Sequence, residues 1–440
     1  MFYIVESDLQ LQRLRSYKDK PCLVEAIPSN FYFHPKLTST TALYIRPLDF
    51  SKGFIIPIDH EEGLNVDKTR VYDILKEYDN LYTSNRKNLL YHFNLLNSKD
   101  ISLIYSMTKY DRLELPDYNR TIHYFYNKNE NNVNINKIIP ISKIYEYYEN
   151  LFEKIIDVTK YEKPSGFDFY NFIATNVFYL IEQQGLGIIH NAFVDLFNPR
   201  NPIFNIKDNK VLTSYNLYNA TSRPTNSYNS VNFAAIPHTP SHRKTFTPQN
   251  DYFVEFDFDG YHLRLLCDQI NYPLTIESAH KQLAKHYFGT EDITEEQYKE
   301  AKQINFHAIY GKIPKKHKNL EVFKLIKEFI DNLWKMYEEV GVVCDPISGK
   351  PFTEELKRMN PAKLMNYLMQ SLETSRNILI LKEVLRFLKD KKTKVVLYTY
   401  DSVLFDFSKE EKNILDDLEN VLSEDGKYPV KFKFSENLVL

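Results

Sequence analysis

The chain has 440 residues, 43% hydrophobic and 26% charged, which fits a globular protein of two or three domains and excludes a disordered one. Eleven glycines against 33 tyrosines and 30 phenylalanines exclude collagen-like and propeller architectures and point to large aromatic cores. A formal charge of −2 carries no global signature of nucleic acid, so any DNA-binding surface must be local.

Residues 1–160 read as alternating strands and helices: strands at 21–27, 42–46 and 53–58, helices at 71–78 and 145–158. The Asn-rich stretch 127–134 reads as a solvated loop, and 162–166, which joins Pro164 and Gly166 to a charge pair, as a linker. A helix over 169–184 follows, closed by Gly185, and then a polar, loop-rich segment over 198–242. Next come a strand at 253–258, a helix at 261–270, a helix at 295–310 closed on Gly311, and long amphipathic helices at 320–340 and 361–388. Lys394–Thr399 and Ser402–Phe407 read as a strand pair with Tyr400-Asp401 near the turn. The three cysteines, Cys22, Cys267 and Cys344, are too few and too scattered for a disulfide framework, which predicts a reducing compartment. No apolar run is long enough for a membrane span, and the N-terminus lacks the basic start of a signal peptide.

Two acids stand out by context. Asp257 lies near the end of an apolar strand that feeds a helix, and Asp401 lies at the tip of a hairpin of apolar strands. A carboxylate emerging from a buried strand is costly without a partner, and a divalent cation is a natural one. Two such acids brought together can hold two Mg²⁺ ions for in-line displacement at phosphorus, although either alone also reads as a simple strand end. In the helix at 295–310, Lys302, Phe306 and Tyr310 fall at i, i+4 and i+8, with Lys299 beside them. That face offers an ammonium, an aromatic plate and a phenol to a nucleoside triphosphate. An aromatic stripe at this spacing is usually core, but core packing does not explain the lysine.

In this order the elements resemble the family A DNA polymerases, of the bacterial polymerase I and phage type. Asp257-Phe258-Asp259-Gly260-Tyr261-His262-Leu263-Arg264-Leu265 matches the family's motif A, Lys302 to Gly311 its motif B, and Tyr400-Asp401-Ser402 its motif C. The stretch from Tyr215 through Arg223 to Asn226, with Asn232 following, is similar to a Thr-Gly-Arg segment of phage members. Asn366 to Gln370 is similar to the helix that reads the primer end. The resemblance implies a mixed α/β right-hand fold in which Asp257, Asp401 and the Phe258 carbonyl hold two magnesium ions. It assigns Lys302 and Lys299 to the triphosphate, Phe306 to the incoming sugar and Tyr310 to the template-base position. Arg223, Asn232, Arg264, Asn366, Gln370 and Tyr400 become primer-template contacts. The implied reaction is attack of a primer 3′-hydroxyl on the α-phosphate of a dNTP, with loss of pyrophosphate.

Several positions depart from the family pattern. His262 replaces the acid that excludes a ribose 2′-hydroxyl, Ser402 replaces the motif C Glu, and Tyr298 stands where the family has Arg. The related single-subunit RNA polymerases also carry an Asp-Ser pair at motif C, which leaves that activity as an alternative. A non-catalytic DNA-binding relative is a second one, which the joint presence of Asp257, Asp401 and Lys302 disfavours. Residues 1–162 resemble a ribonuclease-H-like 3′–5′ exonuclease domain with its metal positions eroded. They read Glu25-Ala26-Ile27, His92 and Tyr145 to Glu149, so an inactive proofreading domain is expected. Residues 163–440 form the expected polymerase domain: a short thumb about 166–215, a palm at 216–275 and 390–440, and fingers about 276–345. No 5′-nuclease domain is expected.

The lysines at 312, 315, 316 and 318, and Arg243-Lys244, flank these motifs and are candidate phosphate contacts. The short thumb implies weak DNA holding and a processivity factor or other replication protein as partner. A Tyr/Asn/Lys-rich composition suggests a virus or plasmid with an A/T-rich genome, acting in the host cytoplasm.

Overall fold

The structure is a computed structural model that describes residues 3–118, 134–197, 205–226, 231–237, 239–309 and 312–440. Most of the Asn-rich stretch, along with Tyr310 and Gly311, lies outside the described residues.

The N-terminal half is built on a six-stranded mixed sheet. Its strands are β1 (Tyr3–Ile4), β2 (Cys22–Pro28), β3 (Thr40–Pro47), β4 (Phe54–Pro57), β5 (Leu81–Thr83) and β6 (Lys99–Asp100). Their order is β1-β4-β3-β2-β5-β6. Every residue of β2 and β3 is buried, as expected for strands covered on both faces. Alternation divides them. Val24, Ala26, Leu43 and Ile45 join a local core with α1 (Lys68–Leu75) and α2 (Arg86–Phe93). Leu23, Ile27, Ala42 and Tyr44 face the other way, into a core shared with α3 (Ile101–Lys109), α4 (Ile141–Ile155) and the C-terminal half. Side-chain caps start the helices: Asp67 accepts from the Thr69 and Arg70 N–H groups, Asn85 from Asn88, and Asp100 from Leu103.

The stretch expected as a linker turns at Gly166, whose φ of +78° suits glycine; a Cβ there would meet the Ser348 carbonyl at 2.6 Å. The helix expected at 169–184 begins as a π-turn (Phe169–Ala174) and continues as α5 (Thr175–Glu182). Both the N–H and the hydroxyl of Thr175 donate to the Tyr170 carbonyl, which widens the turn. The region expected as a short thumb thus contains a helix whose Val177, Phe178 and Ile181 are core residues.

The C-terminal half carries a four-stranded antiparallel sheet: β7 (Tyr252–Phe258), β8 (Lys394–Thr399), β9 (Ser402–Phe407) and β10 (Val430–Ser435), in the order β8-β9-β7-β10. Around it lie α6 (Tyr261–Gln269), α7 (Ala279–Phe288), α8 (Glu295–Ile309), α9 (Glu321–Val340), α10 (Pro361–Phe387) and α11 (Leu415–Ser423). A hairpin, Val342–Cys344 with Pro351–Thr353, separates α9 from α10. α10 starts at Asn360, which accepts from the Lys363 N–H, with Pro361 in the first turn. It runs 27 residues through the shared core. Among the described residues no helix is long and apolar enough to cross a membrane.

Candidate active site

The two singled-out acids meet. β7 and β9 pair antiparallel with Asp257 opposite Ser402, and the Phe258 N–H donates to the Asp401 carbonyl at 3.0 Å. Burial, then the Asp401 charge, then Glu255 push the Asp257 carboxyl up to about 6, against the pull of Lys433. Asp401 is raised as well, by burial first and then by Glu373. Among the described residues no cluster of three or more His, Cys, Asp or Glu side chains forms a ready metal cage. The donor set on offer is therefore this carboxylate pair with nearby backbone oxygen. Hard oxygen donors that repel each other fit a divalent cation, whose charge relieves the repulsion.

The hairpin tip is held from α10. Tyr400 sits at φ +63°, uncommon for a non-glycine, and its carbonyl accepts from Asn377 Nδ2 at 2.7 Å. Asn377 also donates to the Tyr398 hydroxyl at 3.0 Å and accepts from the Tyr261 hydroxyl at 2.7 Å. One turn earlier on α10, the Glu373 carboxylate contacts Arg223 Nη2 and His262 Nε2, each at 3.1 Å. The Arg223 guanidinium lies over the Tyr400 ring, 3.9 Å from its centre. Asn366, Gln370, Glu373 and Asn377 form one polar stripe on α10, with Gln370 donating to Asn366 at 2.8 Å. Neither Glu373 nor Asn377 was singled out from sequence: between Gln370 and Asn377 every residue but Leu372 is polar, so no spacing marks the two out.

Arg264 is placed differently from its expected role. It is buried, and its guanidinium donates to the backbone carbonyls of Asp259 and Thr275, at 2.9 and 2.8 Å, and of Glu277. It braces the chain between α6 and α7, with its guanidinium spent on backbone carbonyls. Asp259 is likewise engaged, with Lys431 at 2.8 Å. Lys302, Lys299 and Phe306 are exposed on α8, and Lys302 lies close enough to lower the His280 pKa, behind the larger effect of burial. α8 docks on α7 through Asn305, which bonds to Tyr287 and, at 3.0 Å, to His280. Asn232 is exposed ahead of a short 3₁₀ turn, and Phe258 is buried, stacked on Tyr261 at 4.1 Å.

In the N-terminal half the candidate acids are committed to the protein. Glu25 accepts from the Ser84 N–H and the Thr83 hydroxyl, and burial pushes its carboxyl up to about 8. Glu149 accepts from Tyr44 (2.7 Å), Gly53 N–H (2.9 Å) and Arg46 (3.0 Å). His92 shares a 3.0 Å hydrogen bond with Thr40, and burial drives its pKa down to about 3.

No family model matches the chain. It is 26% identical over 211 residues to DNA polymerase I of Caldicellulosiruptor bescii, an alignment covering 40% of this chain and 25% of that protein. The chain thus spans about a quarter of the length of that curated relative. Among solved structures it is similar to the POL domain of Pol1 from M. smegmatis in complex with DNA primer-template and dNTP. The TM-score is 0.68 at 13% identity, covering 100% of this chain and 99% of that one. The fold is therefore that of a polymerase domain of this mixed α/β type.

Proposed function

We propose that the chain is a DNA-directed DNA polymerase of the family A type, extending a primer 3′-hydroxyl with deoxynucleoside triphosphates. The observation that carries this reading is the approach of Asp257 and Asp401 on adjoining strand ends, within a fold shared with a polymerase domain. The likeness to DNA polymerase I and to a polymerase bound to primer-template and dNTP supports the same substrates here.

In this reading Asp257, Asp401 and the Phe258 carbonyl hold two magnesium ions. When bound, such ions stabilise the attacking and departing oxygens of phosphoryl transfer. The chain's own groups do the rest by positioning and charge. Lys302 and Lys299 take the triphosphate, Phe306 packs on the incoming sugar, and Tyr310 stacks at the template-base position. His262 stands on the sugar's 2′ side, and Arg223, Asn232, Asn366, Gln370 and Tyr400 line the primer-template. Residues 1–162 serve as a scaffold without proofreading, because their surviving acids are spent on internal partners. A processivity partner, and an origin in a virus or plasmid with action in the host cytoplasm, complete the reading; composition supports the latter.

Primer extension is the test. The wild-type protein adds dNTPs to a labelled primer in Mg²⁺, and Asp257→Ala and Asp401→Ala lose that activity while still shifting primer-template on a gel. A wild-type protein that extends no primer, or variants that keep extending, overturns the proposal. Ribonucleotides in the same assay decide against or for an RNA-polymerase activity.

A further inference from the structure

The Glu373 side chain is nearly inaccessible (2% exposed), yet it sits among ionisable groups rather than in an apolar pocket. Its two oxygens are divided between two partners: Oε2 lies 3.1 Å from Arg223 Nη2 and Oε1 lies 3.1 Å from His262 Nε2. Arg223 further lies over the ring of Tyr400, the residue before Asp401. Both Arg223 and His262 are near enough to Asp401 to act on its charge, and both act in the direction of pairing with it. An arginine that reached Asp401 would form the strong two-pronged contact guanidinium groups make with carboxylates, and would occupy oxygens a cation needs.

We propose that Glu373 is a positioning residue that holds Arg223 and His262 in place beside Asp401, leaving the Asp401 carboxylate open to a divalent cation. The inference rests on the polymerase reading and adds to it a residue that acts through others. Glu373 touches neither Asp257 nor Asp401 in any hydrogen bond of the structure. The Glu373 charge also bears directly on Asp401, whereas the positioning runs through Arg223 and His262, with Asn377, one turn on, fixing the hairpin tip itself.

The test is Mn²⁺ binding to the full chain, read from the electron paramagnetic resonance signal of free Mn²⁺ with no DNA or nucleotide present. The wild-type protein binds Mn²⁺, and Asp401→Ala reduces binding. Glu373→Gln, of the same shape without the charge, weakens binding about tenfold, the scale of one competing ion pair. Adding Arg223→Gln to that variant restores binding to within about threefold of wild type, because the competitor is gone. Glu373→Asp, which keeps the charge on a shorter arm, falls between wild type and Glu373→Gln, a comparison that stands even if Glu373→Gln folds poorly. Unchanged binding in both Glu373 variants overturns the proposal, as does a loss in Glu373→Gln that Arg223→Gln leaves unrelieved. A wild-type protein that binds no Mn²⁺ and extends no primer overturns the polymerase reading itself, whereas extension and binding that ignore Glu373 overturn only this inference.

Discussion

The Phe258 N–H donates to the Asp401 carbonyl across 3.0 Å, which locks the residue after Asp257 to the tip of a hairpin 143 positions further along the chain. The bond extends the β7–β9 ladder by one step beyond the Asp257–Ser402 pair. It fixes the two acids by backbone geometry, so substituting either side chain leaves the ladder that places it intact. Asp257→Ala and Asp401→Ala are therefore expected to fold normally, with primer extension down by at least about a thousandfold, a barrier increase of about 4 kcal/mol. Rapid-quench kinetics beside a circular dichroism melt checks both halves of that statement.

The raised Asp257 carboxyl has a signed consequence for stability. Its folded pKa of about 6 lies above the ordinary 3.8, so between those values the folded protein binds more protons than the unfolded chain. Without divalent cations, the Asp257 contribution to stability should fall as pH rises from about 4 to about 6, read as the difference between wild type and Asp257→Asn, because buried His92 and His280, with lowered pKa values, slope the other way in both proteins. Saturating Mg²⁺ should restore what is lost, by about 2.7 kcal/mol at a hundred times its Kd. Thermal melts across pH, with and without Mg²⁺, give the sign directly. A wild-type Tm that climbs relative to Asp257→Asn through this window in chelator contradicts the assignment.

How much of this was legible in the sequence follows from what each feature depends on. β8, β9 and their turn could be read because apolar alternation is a local property, and the observed bounds of both strands are the expected ones. α7, α11 and β10 were not read. In β10, Phe432 and Phe434 are exposed edge residues, so its alternation marks no buried face. Motif matching placed Arg264 near the DNA, yet a match fixes only where a residue sits in the chain. Its guanidinium points inward because the 275–277 turn presents carbonyls to it. Glu373 was invisible for the opposite reason. It belongs to no motif, and its partners at 223 and 262 are brought to it only by the tertiary fold.

The N-terminal half should show no 3′–5′ excision. Glu149 is bound to Tyr44, Gly53 and Arg46, and Arg46 also lies over the Phe152 ring, 3.5 Å from its centre. Glu149→Ala takes the nearer of two carboxylates from the buried Arg46, which keeps Glu153 at 3.4 Å and the Phe50 carbonyl at 3.1 Å, and should cost about 1–3 kcal/mol of stability. Incubation of a mismatched primer with Mg²⁺ and no dNTPs should give no shortening, in wild type and in Glu25→Gln alike. Shortening that disappears in Glu25→Gln would show that the domain retains a working metal site.

Lys350 ties the hairpin between α9 and α10 to the turn that carries Arg223. It is buried, donating to the Asn219 carbonyl at 3.1 Å and to the Ser222 hydroxyl, while Ser222 itself has a φ of +54°. Burial pulls the Lys350 pKa down to about 7, with Asp345 opposing. Between about 7 and the ordinary 10.5 the unfolded chain therefore binds more protons than the folded one, so this residue makes stability rise with pH across that window. Lys350→Met fills the same space without the charge and should flatten the rise. It also removes the Lys350 donor from the Ser222 hydroxyl and from the Asn219 carbonyl, which keeps only the Ser222 N–H at 2.9 Å, so the Arg223 turn loosens. Primer-template affinity should then drop by about three- to tenfold with the rate at saturating DNA little changed. Melts from pH 7 to 10 and a DNA titration of the same variant measure the two effects separately, and a variant that binds DNA as wild type shows that Lys350 does not set the Arg223 turn.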